Sequence, residues 1–239
     1  MNSFSEKFYQ DFIQDDRWKF ITSGLKVTLC VTFVALIIGV VIGVAVGIIR
    51  CAYDQQDKKE LHGARKAALS ILNLIARLYV TIIRGTPALV QLLIMYFIIL
   101  VSAKSKMVVA MLTFGINSGA YVAEVIRGGI MSVDSGQMEA GRALGLSYVQ
   151  TMRKIILPQA FKAVLPSLVN ELITLLKETS ICGYIGLNEL TRGGDIIRGT
   201  TFDALLPLFG VALIYLALVL IISYLFSLVE RRLRKSDRY

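Results

Sequence analysis

Two long runs without a charged residue constrain this chain more than any other feature. Val27–Ile49 has 23 such residues in succession, and Ala204–Val229 has 26. A helix needs about 20 apolar residues to cross the hydrocarbon core of a bilayer. Of the 239 residues, 55% are hydrophobic and 18% are charged, whereas an average soluble domain has about 45–50% and about 25%. This surplus of apolar side chains excludes a soluble enzyme and predicts a membrane protein.

Three weaker apolar segments complete an all-α architecture of about five transmembrane helices. Gly85–Ala103 and Met107–Ala123 are uncharged, and a segment from about Phe161 to Ile185 is apolar but carries acidic and basic residues. Ala67–Arg84 joined to the next segment is too long for one crossing, and Pro87 disfavours helix at the residue before it. We expect Ala67–Arg84 to lie partly in the cytoplasmic interface, with the true span beginning near Pro87. A sixth span at Ala67–Arg84 is the alternative.

The distribution of Lys and Arg orients the spans. In the five-span arrangement, 15 of the 26 Lys and Arg fall on one side of the membrane and 8 on the other. The side richer in positive charge is the cytoplasmic one, so we expect an outside N-terminus and a cytoplasmic C-terminus. The net charge of +9 is then a topology signal and does not indicate nucleic-acid binding. This divides the chain into an extracytoplasmic segment 1–22, a transmembrane domain 23–231 with a cytoplasmic loop at about 130–158, and a basic cytoplasmic tail 232–239.

The cytoplasmic loop has the local signals of two short helices at a sharp bend. Asp134 is an N-cap candidate for a helix over Ser135–Leu144, and Gly145 suits the left-handed residue that ends such a helix. Ser147 and Gln150 have the spacing of a capping box that opens the next helix. The pattern predicts a compact helical projection on the cytoplasmic face, which is typical of a docking element.

The same loop carries a motif. Glu139-Ala140-Gly141, Gly145 and Ile155-Ile156-Leu157-Pro158 resemble the EAA loop of bacterial ABC importer permeases, which reads E-A-A, three residues, G, nine residues, I-x-L-P. Gly141 in place of the second Ala is the one departure. Further stretches resemble the subfamily that imports polar amino acids of the histidine/glutamine/arginine type: Arg84–Pro87, Tyr121–Ile130, and Asn170-Glu171 with Leu176–Ser180.

The resemblance implies a type I ABC importer transmembrane domain in the bacterial cytoplasmic (inner) membrane. It implies a dimer with an identical or related permease chain, an extracytoplasmic amino-acid-binding protein that delivers the substrate, and contact with membrane lipid. The loop would then couple the spans to a separate ATPase subunit, because this sequence lacks the G-x-x-x-x-G-K-[ST] phosphate loop. The implied coupling residues are Glu139, Ala140, Gly141, Arg142, Gly145, Leu157 and Pro158. We expect a transport subunit without enzymatic activity, cofactor or metal.

Polar residues inside the spans are candidates for the substrate pathway, since ionisable groups there are costly and usually functional. Asn117, Tyr121 and Glu124 share one helical face at spacing i, i+4, i+7. The full set of candidate pathway residues is Gln91, Asn117, Tyr121, Glu124, Asn170, Glu171 and Glu178. The alternative is that Glu124 or Glu171 pairs with Arg127 or Lys177 and holds helices together.

The glycine repeat, the cysteines and the histidine each have a structural interpretation. Gly39, Gly43 and Gly47 form a repeated G-x-x-x-G, which predicts close packing of the first span against another helix. The three cysteines (Cys30, Cys51 and Cys182) and His62 lack the spacing of a zinc site.

An ATP-independent secondary transporter or channel for small polar solutes is the alternative function, and it would use the same intramembrane acids.

Overall fold

The computed structural model describes residues 4–54 and 64–235, and this part of the chain is helical without a strand. In chain order the helices are α1 (Phe4–Phe8), α2 (Trp18–Asp54), α3 (Ala64–Arg84), α4 (Ala88–Ile94), α5 (Lys106–Met131), α6 (Ser135–Ala143), α7 (Tyr148–Thr151), α8 (Leu157–Glu178), α9 (Leu190–Thr201) and α10 (Leu205–Lys235). Short π-helical or 3-10 turns follow α1, α4, α7 and α8. The all-α expectation is confirmed. His62 and the end of the basic tail lie outside the described residues.

Four helices in the described part of the chain are long and apolar enough to cross a membrane: α2, α3, α5, and α10 as far as Arg232. α3 has 21 residues, or about 32 Å. The apolar helix after Pro87 covers only Ala88–Ile99, about 18 Å, which is short of the roughly 30 Å hydrocarbon core. By length, α3 could cross by itself and the helix after Pro87 could not, but length alone does not place either helix in a bilayer. That Gly85–Ala103 is the span with Ala67–Arg84 partly in the interface stays a prediction, as does the alternative of a further span at Ala67–Arg84.

The break between α3 and α4 has a local cause. α3 keeps its hydrogen bonding to the end, where the Gly85 N–H donates to the Thr81 carbonyl at 3.0 Å. Pro87 has no N–H to donate, so the helical ladder stops there. α8 also has 22 residues but is not among the four apolar helices, and it carries Lys162, Glu171, Lys177 and Glu178.

The chain divides into two compact units, and the first comprises Met1–Leu36, Ala88–Phe114 and Leu172–Val229. Its main core is a cluster of buried side chains: Val31, Ala35, Leu92, Ala110, Phe114, Leu175, Cys182 and Ile185. The N-terminal segment contacts the turn just before α10, because the Lys7 ammonium group lies 3.4 Å from the Asp203 carboxylate. Phe12 packs against a second cluster made by α2, α9 and α10.

The second unit comprises Ile37–Pro87, Gly115–Glu171 and Glu230–Tyr239. Here the three glycines of the G-x-x-x-G repeat in α2 face α5. A Cβ built at each would lie 2.7 Å from Ser118 Oγ for Gly39, 2.5 Å from Val122 Cβ for Gly43 and 3.0 Å from Ile126 Cγ2 for Gly47. The contacts advance by four residues on both helices, so α2 and α5 run in the same direction along this glycine seam. The predicted close packing of the first span is confirmed.

Candidate functional site

α6 and α7 form a tight helical projection, hereafter the α6–α7 knob (134–151). The Asp134 side chain accepts a hydrogen bond from the Gly136 N–H at 2.7 Å and caps α6. Gly145 has φ +83°, a left-handed conformation that glycine adopts without steric cost. Ser147 and Gln150 make a complete capping box at the start of α7. The predicted helix, glycine bend and capping box are all present.

Gly141 explains the single departure from the E-A-A pattern. It is buried against α7, and a Cβ at this position would lie 2.4 Å from Thr151 Cγ2 and 2.9 Å from Thr151 Oγ1. An alanine cannot fit there unless α6 and α7 move apart. The small residue therefore allows the two short helices to pack directly on each other.

The outer surface of the knob is exposed and partly apolar. Leu144 is 81% exposed and Val149 is 70% exposed. The implied coupling residues Glu139, Ala140, Arg142, Gly145, Leu157 and Pro158 are also exposed, whereas Gly141 is buried. Leu144 and Val149 therefore offer apolar contact area on the outer surface of the knob.

The polar face predicted on α5 is partly open. Ala120, Val122 and Ala123 are fully buried, whereas Tyr121 is 37% exposed. A Cβ at Gly128, seven residues further, would meet nothing within 4 Å. Asn117 at the other end of this face is buried. The face is therefore closed at Asn117 and open from Tyr121 to Gly128.

Glu124, on this face, is the centre of an ion-pair cluster that also contains Arg50, Arg84, Arg127 and Asp54, hereafter the arginine cluster. Its Oε1 accepts a hydrogen bond from Arg50. Its Oε2 lies 3.1 Å from Arg127 and 4.0 Å from Arg84, and Arg127 also reaches Asp54 at 3.4 Å. Arg127 lies on α5 with Glu124, whereas Arg50 lies on α2, so the Arg50–Glu124 pair is the one that joins two helices. Glu124 is therefore not an isolated acid.

Sequence reasoning did not find Arg50 and Arg84 as partners of Glu124, nor Asp54 as a partner of Arg127. Arg50 lies 74 positions away from Glu124 in the chain, and no local pattern reports such a pairing.

The structure distributes the seven candidate pathway residues over both units. Gln91 and Glu178 belong to the first unit, and Asn117, Tyr121, Glu124, Asn170 and Glu171 belong to the second. Gln91, Glu171 and Glu178 are half-buried, and Asn170 is exposed. Their role in a pathway stays a prediction.

A buried acid in the first unit was also missed. The Glu189 carboxylate accepts hydrogen bonds from the backbone N–H groups of Thr191 and Arg192, both at 2.7 Å, and so caps α9. The Tyr215 hydroxyl donates to it at 3.3 Å. Burial raises the pKa of Glu189, and the two backbone donors oppose that shift. Among the described residues, no group of three His, Cys, Asp or Glu is placed to hold a metal ion.

The helical arrangement is that of a type I ABC importer permease. An amino acid ABC transporter solved with histidines is 37% identical and superimposes with a TM-score of 0.80, covering 97% of this chain and 99% of that chain. An inward-facing structure of the MetNI methionine ABC transporter is 22% identical, with a TM-score of 0.76, over 92% of this chain and 99% of that chain, and shows the fold alone.

Residues 64–235 match the family described as the binding-protein-dependent transport system inner membrane component, and the chain belongs to this family. The arginine transport system permease protein ArtQ of Bacillus subtilis is 43% identical over 166 residues, covering 68% of this chain and 76% of that protein. The glutamine transport system permease protein GlnP of Escherichia coli K12 is 40% identical over 168 residues, covering 69% and 77%. The resemblance to polar amino acid permeases is confirmed, and the chain is a multi-pass membrane permease subunit.

Proposed function

We propose that this chain is the membrane-spanning subunit of an ATP-driven importer of polar amino acids in a bacterial inner membrane. The substrate class is supported by relatives that are named for arginine and glutamine transport. The observation that carries the ATP-driven mechanism is the exposed α6–α7 knob, because a channel or secondary transporter has no use for such a docking element.

The knob is the site at which a separate ATPase subunit docks. Leu144 and Val149 supply apolar contact area, and Glu139 and Arg142 supply charges beside it. Gly141 holds α6 close against α7, so that the knob moves as one body when the ATPase pushes on it. Leu157 and Pro158 lie at the beginning of α8, where that movement enters a long helix.

The remaining parts of the proposal concern orientation and partners. The N-terminus lies outside and the C-terminus lies in the cytoplasm, as the excess of Lys and Arg indicates. A second permease chain, identical or related, completes the pathway. An extracytoplasmic binding protein delivers the amino acid. Asn117, Tyr121, Glu124, Asn170, Glu171, Glu178 and Gln91 provide polar contacts along the way.

The test is reconstitution of the permease with its ATPase subunit and binding protein in liposomes. Uptake of radiolabelled arginine, glutamine and histidine should require ATP on the ATPase side. Leu144→Asp should reduce retention of the ATPase subunit during purification by about tenfold or more, because a charge replaces a central apolar contact. Phe202→Asp is the matched control, since Phe202 is 93% exposed elsewhere, and it should retain the ATPase. Uptake without ATP would contradict the proposal.

A further inference from the structure

The arginine cluster contains more positive than negative charge. Three guanidinium groups face two carboxylates. Arg50 donates a hydrogen bond to Glu124, and Arg127 is shared between Glu124 and Asp54. A positive surplus inside a membrane domain is costly unless an anion balances it. The cluster is therefore suited to accept one more carboxylate or phosphate group.

Arg84 is the member of the cluster that is placed to bind that anion. Its contact with Glu124 Oε2 is 4.0 Å long, which is beyond hydrogen-bond distance. Its side chain is 43% exposed, against 16% for Arg50 and 30% for Arg127. A guanidinium group has five donors in a planar fork that fits a carboxylate with two parallel hydrogen bonds. Within the described part of the chain, Arg84 uses none of these donors in a hydrogen bond to protein.

Tyr121 holds the guanidinium group in place. The Arg84 Cζ atom lies 5.2 Å from the centre of the Tyr121 ring, a distance typical of a cation–π contact. A cation–π contact uses none of the N–H donors of the guanidinium group, so they stay available to a ligand. Five residues before Arg84, the Tyr79 hydroxyl donates a hydrogen bond to the Ile116 carbonyl at 2.5 Å and so holds α3 against α5. The arginine is thus presented on a supported surface.

The position of Arg84 on α3 favours a solute over a lipid. Asn73, Ala76 and Val80 are the buried residues of α3, and Arg84 continues their spacing of three and four residues. The exposed apolar side chains of α3 lie at other positions: Ile71, Leu72, Leu74, Ile75, Leu78 and Ile82. Arg84 therefore lies on the side that packs towards α5, at the open part of the Tyr121–Gly128 face.

We propose that Arg84, held by its cation–π contact with Tyr121, binds the α-carboxylate of the amino acid as it passes through the permease. Glu124 keeps its contacts with Arg50 and Arg127, so the substrate carboxylate takes only the loose 4.0 Å position and breaks no hydrogen bond within the cluster. Every α-amino acid carries this carboxylate, so the site recognises α-amino acids as a class. Other residues must then distinguish their side chains. This inference rests on the proposed function.

The test is a double comparison on the purified permease–ATPase complex without binding protein. Uptake assays on the reconstituted wild-type system first identify the transported amino acid among arginine, glutamine and histidine. Equilibrium binding of that amino acid and of its primary amide, which lacks the carboxylate, is then measured for wild type and for Arg84→Gln. Wild type should bind the acid about 10- to 100-fold more tightly than the amide, the factor that charge-assisted hydrogen bonds supply. Arg84→Gln should bind both equally, with amide affinity unchanged.

Two further variants separate the specific contact from loss of charge. Arg77→Gln removes the same charge from an exposed position two turns earlier on α3 and should keep the preference for the acid. Arg84→Lys keeps the charge without the planar fork, and should reduce the preference without abolishing it. It also serves as the test if Arg84→Gln does not assemble.

Several results would overturn the inference while leaving the proposed function intact. These are equal weakening of acid and amide by Arg84→Gln, loss of the preference in Arg77→Gln, and a transporting wild-type complex that binds no amino acid. Loss of bound phosphatidylglycerol from Arg84→Gln with unchanged amino acid binding would assign the site to lipid and overturn it too. If the wild-type system imports none of the three amino acids, the proposed function fails and this inference fails with it.

Discussion

Replacing Gly43 by alanine tests the glycine seam most directly. The new methyl group would lie 2.5 Å from both Cβ and Cγ1 of Val122 and 3.0 Å from the backbone nitrogen of Ala123. Carbon atoms pack at about 3.5–4.0 Å, so the two helices must separate by about 1 Å. Backbone and β-branched atoms next to the new methyl group cannot swing aside as a flexible side chain would.

The expected cost follows from these distances. Overpacking a close interface costs about 1–3 kcal/mol, and from the distances at Gly43 we expect Gly43→Ala to lower the free energy of unfolding by about 2 kcal/mol. For a chain of this size that corresponds to a fall in Tm of about 4–8 °C. Gly47→Ala should cost less than about 1 kcal/mol, because its nearest contact is 3.0 Å from a side-chain methyl of Ile126. Gly39→Ala should fall between the two.

The assay is the melting temperature of the detergent-purified protein, read as the monodisperse fraction after heating. Gly128→Ala is the control on α5, since its Cβ would meet nothing within 4 Å, and it should melt at or slightly above the wild-type temperature because alanine favours helix over glycine. A Gly43→Ala protein with wild-type Tm, or a larger loss in Gly47→Ala than in Gly43→Ala, would refute the steric argument.

Three further predictions concern regions outside the spans. Gly145→Ala should destabilise the α6–α7 knob by about 1–2 kcal/mol, because φ is +83° there, and faster amide exchange in α6 would report it; Gly145→Asn should be milder. The Leu205 N–H and the Lys7 ammonium group hold the pKa of Asp203 below its usual value, so its stabilisation is present at neutral pH and lost as pH falls through that lowered pKa. When Tm is measured against pH, Asp203→Asn should therefore lack the part of the fall at acidic pH that protonation of Asp203 causes in wild type. Burial raises the pKa of Glu189, so its contribution has the opposite sign: it is largest at low pH and declines as pH rises through the raised pKa. Glu189→Gln should therefore gain Tm relative to wild type towards neutral pH, and a constant difference would contradict this.

Local signals allowed the α6–α7 knob to be predicted in detail. Capping by Asp134, the bend at Gly145 and the Ser147–Gln150 box each depend on residues within a few positions of one another. The physics of helix ends acts over that range, so a single sequence contains the necessary information. The glycine repeat in α2 also predicts close helix packing, but it does not identify the partner helix, because nothing in α2 specifies which helix packs on it.

Long-range pairing explains what sequence reasoning missed. The sequence predicts Glu124 as a costly intramembrane acid, yet Arg50, Arg84 and Asp54 lie on other parts of the chain, and no local pattern pairs them with α5.

Contacts along the α2–α5 seam repeat every four residues, so sliding one helix by a single turn, about 5.4 Å, would again set glycines against similar neighbours. Packing of small residues alone therefore tolerates more than one alignment. The charges do not, since the observed alignment pairs Arg50 with Glu124 and Asp54 with Arg127. A slipped pair would leave these groups unmatched in an apolar setting. We expect the ion pairs to select one alignment of α2 with α5 during assembly. Neutralising both Arg50 and Glu124 with glutamine should then yield two sets of cysteine cross-links between the helices where wild type gives one.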